Sequence, residues 1–169
     1  RVDKTLIKEY KEGLIATTSG IFGEIAYLFL NVGISKAKEC FLWWLNEFKD
    51  DFFIELSRNN IEDEEELNQL LLSWAKEYNV KCLPANRIFY LKKEDAKAHD
   101  ALLCVKNGDL IKTPKGTGHG FRFGLPNENF YFPSTKSMLA LFSDIPQVFE
   151  DLTHFTTQFE NYELSRDIL

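Results

Sequence analysis

The sequence predicts an α/β domain assembled from parallel strand-helix units. Three observations carry that prediction. Short apolar runs rich in β-branched and aromatic residues recur along the chain, each is followed by residues with apolar positions at helical spacing, and the intervening crossovers of about 10 to 15 residues suit parallel strands. The chain has 169 residues, enough for one domain with a substantial core. Its 44% apolar and 27% charged residues exclude disorder, collagen-like repeats and low complexity.

In chain order, Leu6, Ile7 and Tyr10 mark a short helix that Gly13 ends, and residues 14–18 (LIATT) read as a buried strand. Residues 23–30 are helical. A longer helix runs from Ser35, its expected N-cap, to Lys49, with Ala37, Cys40, Phe41, Trp44, Leu45 and Phe48 on one face. Residues 52–56 (FFIEL) form the next strand. Residues 60–78 form a helix with Leu67, Leu70, Leu71, Trp74 and Ala75 facing inward, and its acidic run Glu62 to Glu66 complements the helix dipole as a solvated face. Residues 80–85 supply a third strand. Residues 93–105 supply a helix whose core stripe is Ala98, Ala101, Leu102 and Val105, with His99 as a hydrogen-bonded structural histidine. The pattern then breaks: residues 113–126 hold Gly116, Gly118, Gly120 and Gly124 and two prolines in an irregular segment. Helices resume over 134–142, capped by Ser134 or Thr135, and from Pro146 to about Phe159.

The net charge of −6 argues against a free-standing nucleic-acid binder, which would display a basic face. Cys40, Cys82 and Cys104 are widely spaced and odd in number, the pattern of reduced, buried thiols. No apolar run approaches the roughly 20 residues that span a bilayer, and no signal-peptide core opens the chain. A cytoplasmic protein without membrane contact is expected. The start at Arg1, with Met138 the single methionine, suggests a piece of a longer polypeptide.

The glycine-rich segment invites a phosphate-cradle reading, but its spacing matches neither dinucleotide nor P-loop fingerprints, and a packed Ω-like connection is the simpler expectation. Lys112, Lys115, His119 and Arg122 interleave with Phe121 and Phe123, so Lys112, Lys115 and Arg122 are candidate DNA contacts. His99, His119 and His154 share no metal-ligand spacing, and no nucleophile motif occurs. From residue chemistry alone, no active site is legible.

Four strings together carry a resemblance: EGLIATTSGIFGEI, FFIELSRNNIEDEEELNQLLLSWAKEYNV, EDAKAHDALLCVKNG and FYFPSTKSMLALFSDIPQVFEDL. In order and spacing they resemble the PHP (polymerase and histidinol phosphatase) domain of bacterial replicative DNA polymerase III alpha subunits. The resemblance implies a partial, distorted (β/α) barrel with C-terminal helices. Residues 1–107 would be the later part of the barrel, 108–133 a Gly-rich connection, and 134–169 a C-terminal helical segment of the same domain.

Active members of this family hold a cluster of metal ions through His, Asp, Glu and Cys ligands and hydrolyse phosphoesters, some as 3′–5′ exonucleases. Here the four ligand positions that can be matched are changed. Gly20 replaces a Cys in TTSGIFGE, Asn59 replaces a His after ELSR, and Asn86-Arg87-Ile88-Phe89-Tyr90 stands where the family has N-D-x-H-Y, so that Arg87 replaces Asp and Phe89 replaces His. A guanidinium among would-be ligands repels a divalent ion and can take over its electrostatic role. Arg87 and Arg58 are expected to pair with Glu55 or Glu24, with phosphate binding as the alternative.

The resemblance therefore implies a non-catalytic, structural module of a replicative DNA polymerase, without catalytic residues, metal or cofactor in this segment. Its expected partners are other replicase subunits, a proofreading exonuclease among them, and DNA only within the full polymerase. The alternative is a metal-dependent phosphoesterase or 3′–5′ exonuclease. A truncated barrel would leave the strand at 14–18 with an open edge, so covering of that edge by self-association, with the Phe-rich helix 36–49 as a candidate contact, or by a rearranged terminus is also expected.

Overall fold

A computed structural model describes residues 2–160. Helix α1 (Lys4–Tyr10), capped by the Asp3 carboxylate on the Leu6 N–H, leads to β1 (Ala16–Thr17). Helices α2 (Glu24–Asn31) and α3 (Ile34–Phe48) return the chain to β2 (Phe52–Ser57). Helix α4 (Glu64–Tyr78) connects it to β3 (Cys82–Ala85), after which come α5 (Ala96–Asn107), α6 (Thr135–Leu141) and α7 (Gln147–Thr156). The three strands form one parallel sheet in the order β1-β2-β3, with Ala16 opposite Phe52 and Ile54 opposite Cys82. The sheet is small, open and parallel, with helices between its strands, as the predicted α/β class requires. No described helix is long and apolar enough to cross a membrane.

Central strand β2 is buried at every position except Glu55, as expected for a parallel strand covered on both faces. The core joins Ile25, Ala26, Ala37 and Phe41 from α2 and α3, Phe52, Ile54 and Leu56 of β2, and Leu67, Leu71 and Trp74 from α4. Phe142 and Val148 belong to the same core, so the C-terminal helices are part of the packing unit. Asp151 of α7 accepts the outward Cys82 N–H at 2.9 Å and covers part of the β3 edge. Residues 161–169 of the expected C-terminal segment lie outside the described residues.

Several expectations are corrected. The N-cap of α3 is Gly33, at φ +130°, and not Ser35. The Phe-rich face of α3 points inward, with Phe41 and Phe48 buried, and so does not offer itself for self-association. Strand β1 is only two residues long. Within the acidic run Glu64 is buried, its carboxylate accepting the Ile61 N–H at 3.3 Å, so that run is not wholly a solvated face. The largest correction concerns α5. Ala98, Ala101, Leu102 and Val105 are exposed, Val105 by 83%, and the helix turns Asp100 and Cys104 inward. It packs on the 108–133 connection instead of the sheet, so its apolar stripe does not face the core.

Candidate functional site

The carboxyl ends of the three strands open on a cavity of about 180 Å³, lined by Ser19, Gly20, Glu55, Ser57, Asn59 and Arg87 among others. Ligands of open parallel sheets bind at this end, beyond the strands. The turn after β1 reaches it through Ser19 and Gly20, both at positive φ (+61° and +53°). Gly23, just beyond, is required by close approach, because a Cβ there would lie 2.0 Å from the Thr18 carbonyl oxygen. The end of β2 is fixed from α4, where the Asn68 amide donates to the Ser57 carbonyl at 2.8 Å.

Of the four positions that the resemblance singles out, the structure brings Gly20, Asn59 and Arg87 together and leaves Phe89 beside them. Gly20 has no side-chain donor, and a Cβ at this position would stand 2.9 Å from the Ser57 Oγ. Asn59 is buried and its amide is fully engaged. Its Oδ1 accepts the Arg87 N–H at 2.9 Å, while its Nδ2 donates to the Arg87 carbonyl at 3.0 Å and to the Asn129 carbonyl at 2.7 Å. The Asn59 side chain is thus a clamp that ties the β2 end to two loops. Phe89 lies outside the cavity, its N–H donating to the Phe130 carbonyl at 2.8 Å and its ring on Phe130 and His99. His99 thus packs between Phe89 and Tyr90 instead of sitting hydrogen-bonded in the core.

The Arg87 guanidinium stacks on the Phe22 ring, 3.8 Å from its centroid. The expected pairing with Glu55 or Glu24 is not found. Glu55 accepts from the Thr17 hydroxyl at 2.7 Å, and Glu24 is engaged by Lys4 and the Trp44 indole. Arg58 also goes elsewhere, to a bidentate pair with Asp144 at 2.6 and 2.8 Å, which holds the Asp144 carboxyl below its ordinary range. The residues at the strand ends do not fit a divalent cation: one position has no donor, one amide is already bonded, and one side chain is a cation. Among the described residues no group of three His, Cys, Asp or Glu side chains converges as a metal site. Burial pushes the thiols of Cys40 and Cys82 up to about 11 and about 12, the inert state expected of them.

The glycine-rich connection is organised around Arg122, which is buried and therefore not a surface cation for DNA. Its guanidinium forks onto Asp100 at 2.7 and 2.9 Å and donates to the Thr113 carbonyl at 2.8 Å, with longer contacts to the Ile111 and Phe123 carbonyls. The Arg122 hydrogen bonds, followed by that of Lys115, lower the Asp100 pKa to about 2. The loop presents carbonyl oxygens to an internal cation, the opposite polarity to a phosphate cradle. Lys115 shares Asp100 at 3.1 Å, and Lys112 is exposed. Phe22 and Asp100, which hold the two arginines, were not singled out by sequence motifs. The one available signal was Asp100 on the helical face opposite the exposed apolar stripe.

Comparison with known proteins agrees with the resemblance. Residues 1–59 match the PHP domain family. DNA polymerase III subunit alpha of Borreliella burgdorferi is 31% identical over 165 residues, covering 98% of this chain and 14% of that protein. The Campylobacter jejuni protein of the same name is 33% identical over 175 residues, with the same coverages, and the Aquifex aeolicus one 34% identical over 146 residues. The chain spans about one seventh of the length of these curated relatives.

Proposed function

We propose, from the premise that this chain is a PHP-type segment related to DNA polymerase III subunit alpha, that it serves DNA replication as a non-catalytic module. Its role is to support the polymerase and to dock other replicase subunits, a separate proofreading exonuclease foremost, in the cytoplasm. The observation that carries this reading is the bonding of Asn59, whose buried amide joins the β2 end to the Arg87 and Asn129 backbones. A position suited to a ligand has become a structural link, and Arg87 brings positive charge where a cation would sit.

DNA contact, within the full polymerase only, falls to Lys112 and in part Lys115. Docking is served by the exposed face of α5, where Leu102 and Val105 form an apolar patch of the sort that marks interaction surfaces. The test is made in the full-length polypeptide: Leu102→Glu with Val105→Glu is expected to weaken association with the exonuclease subunit at least about tenfold, while DNA synthesis persists. Unaltered association would remove this face from the docking account. Phosphoester hydrolysis by the module, abolished by substitutions at the strand ends, would establish the enzymatic alternative.

A further inference from the structure

Helix α5 carries two features that its own packing leaves unused. Its outer side presents Ala98, Ala101, Leu102 and Val105 to solvent, with Leu102 and Val105 exposed by 69% and 83%, while Asp100 and Cys104 turn inward. The lysines beside that stripe, Lys97 and Lys106, are exposed, and the ion pairs among the described residues include neither. We infer that this face receives an acidic amphipathic helix of a protein partner, with the partner's apolar side chains laid on the stripe and its carboxylates on Lys97 and Lys106. The inference rests on the docking role proposed for α5 and adds the chemistry of what docks there.

The stripe has the spacing of a helix-binding seam. Positions 98, 101, 102 and 105 recur at three and four residues, the period at which one helix presents a continuous apolar face to another. Helix α5 has 12 residues and is therefore about 18 Å long, which matches about three turns of a partner helix. The small side chains of Ala98 and Ala101 let a second backbone approach closely at one end, and Leu102 and Val105 stand as the larger contacts at the other.

Charge selects the sign of the partner. Lys97 precedes Ala101 by four residues and Lys106 follows Leu102 by four, about one helical turn each, so the two ammonium groups border the stripe on opposite flanks. The acids nearest in sequence stand elsewhere: Glu94 and Asp109 lie beyond the two ends of the helix, and Asp100 is forked onto Arg122. In a chain of net charge −6 this basic-edged face is a local exception, and such rim charges draw a partner of opposite sign. A nucleic-acid strand would match the lysines alone, because the aliphatic stripe between them offers bases no aromatic surface on which to stack.

The test uses the full-length polypeptide and two fluorescent helical peptides of about 18 residues, followed by anisotropy. The peptides share leucines at helical spacing and differ only in carrying Glu or Lys on the flanks. The Glu peptide is expected to bind at least about tenfold more tightly than the Lys peptide, a preference that shrinks as salt is raised. Lys97→Glu with Lys106→Glu should reverse the preference, and Leu102→Ser with Val105→Ser should remove binding of both peptides. Binding of neither peptide, or equal binding of both, overturns the inference. The docking role stands in either case if Leu102→Glu with Val105→Glu still weakens exonuclease association, and falls if it does not. Binding of a single-stranded oligonucleotide that is lost in the lysine variant and kept in the serine variant, with no preference between the peptides, reassigns the two lysines to nucleic acid and overturns the inference as well.

Discussion

Arg87 at the strand ends and Arg122 in the glycine-rich connection are the same side chain in opposite circumstances. Arg122 is 5% exposed, forked onto Asp100 and ringed by carbonyls, so that the connection is folded around it. Arg87 is exposed, fixed by stacking and backbone clamps, and faces a cavity with its charge unpaired among the described residues. The difference teaches that a basic residue in a glycine-rich, aromatic setting is not thereby a ligand-binding residue. Arg122 looked the better nucleic-acid contact in the sequence, yet Arg87 is the one left available.

The comparison breaks most readily at stability. Arg122→Met removes a buried guanidinium and leaves the half-buried Asp100 carboxylate to Lys115 alone, and is expected to destabilise the chain by about 2 kcal/mol in urea titrations. Arg87→Met, losing only exposed stacking, should cost about 0.5 kcal/mol. Comparable losses at the two positions would erase the distinction between structural and available arginine.

Asn59→His places an imidazole at the strand ends. It forfeits three buried amide hydrogen bonds and is expected to destabilise by about 2 kcal/mol, with no zinc affinity gained in calorimetric titration, because Arg87 remains. Zinc binding tight enough to raise the unfolding temperature would show that the clamp is incidental.

Acid sharpens the contrast. Asp100 has its pKa lowered from 3.8 to about 2, so its folded-state pKa lies below its unfolded one. Its contribution is complete above pH 3.8 and is lost as pH falls toward about 2. The difference in stability between wild type and Asp100→Asn, measured across that window, should shrink by an amount on the order of 1 kcal/mol as the acid is titrated. The smallest effect belongs to Lys112→Ala, expected to change stability by less than about 0.5 kcal/mol and to alter only the salt dependence of DNA binding by the full polymerase.

Much of this arrangement was legible in the sequence. Apolar periodicity located the helices, and β-branched and aromatic runs located all three strands; Gly20, Asn59 and Arg87, singled out through the family resemblance, line one cavity. What stayed hidden has physical causes. The apolar spacing of α5 marked a stripe without saying whether a core lay beneath it, and the helix instead faces a loop through Asp100. The partners of Arg58 and Arg122 lie 86 and 22 residues away, separations that local patterning does not encode. The Asn59 clamp depends on the Arg87 and Asn129 backbones, which carry no side-chain signature.

The central claim is that the strand ends carry a structural link and a fixed cation in place of a set of metal ligands. It is tested most directly by elemental analysis of the purified full-length polypeptide, equilibrated with zinc or manganese and then desalted. The account predicts no transition metal held stoichiometrically through this segment, in the wild type and in Arg87→Gln alike. One metal ion retained per chain, and lost on substituting Asn59 or Glu55, would contradict it.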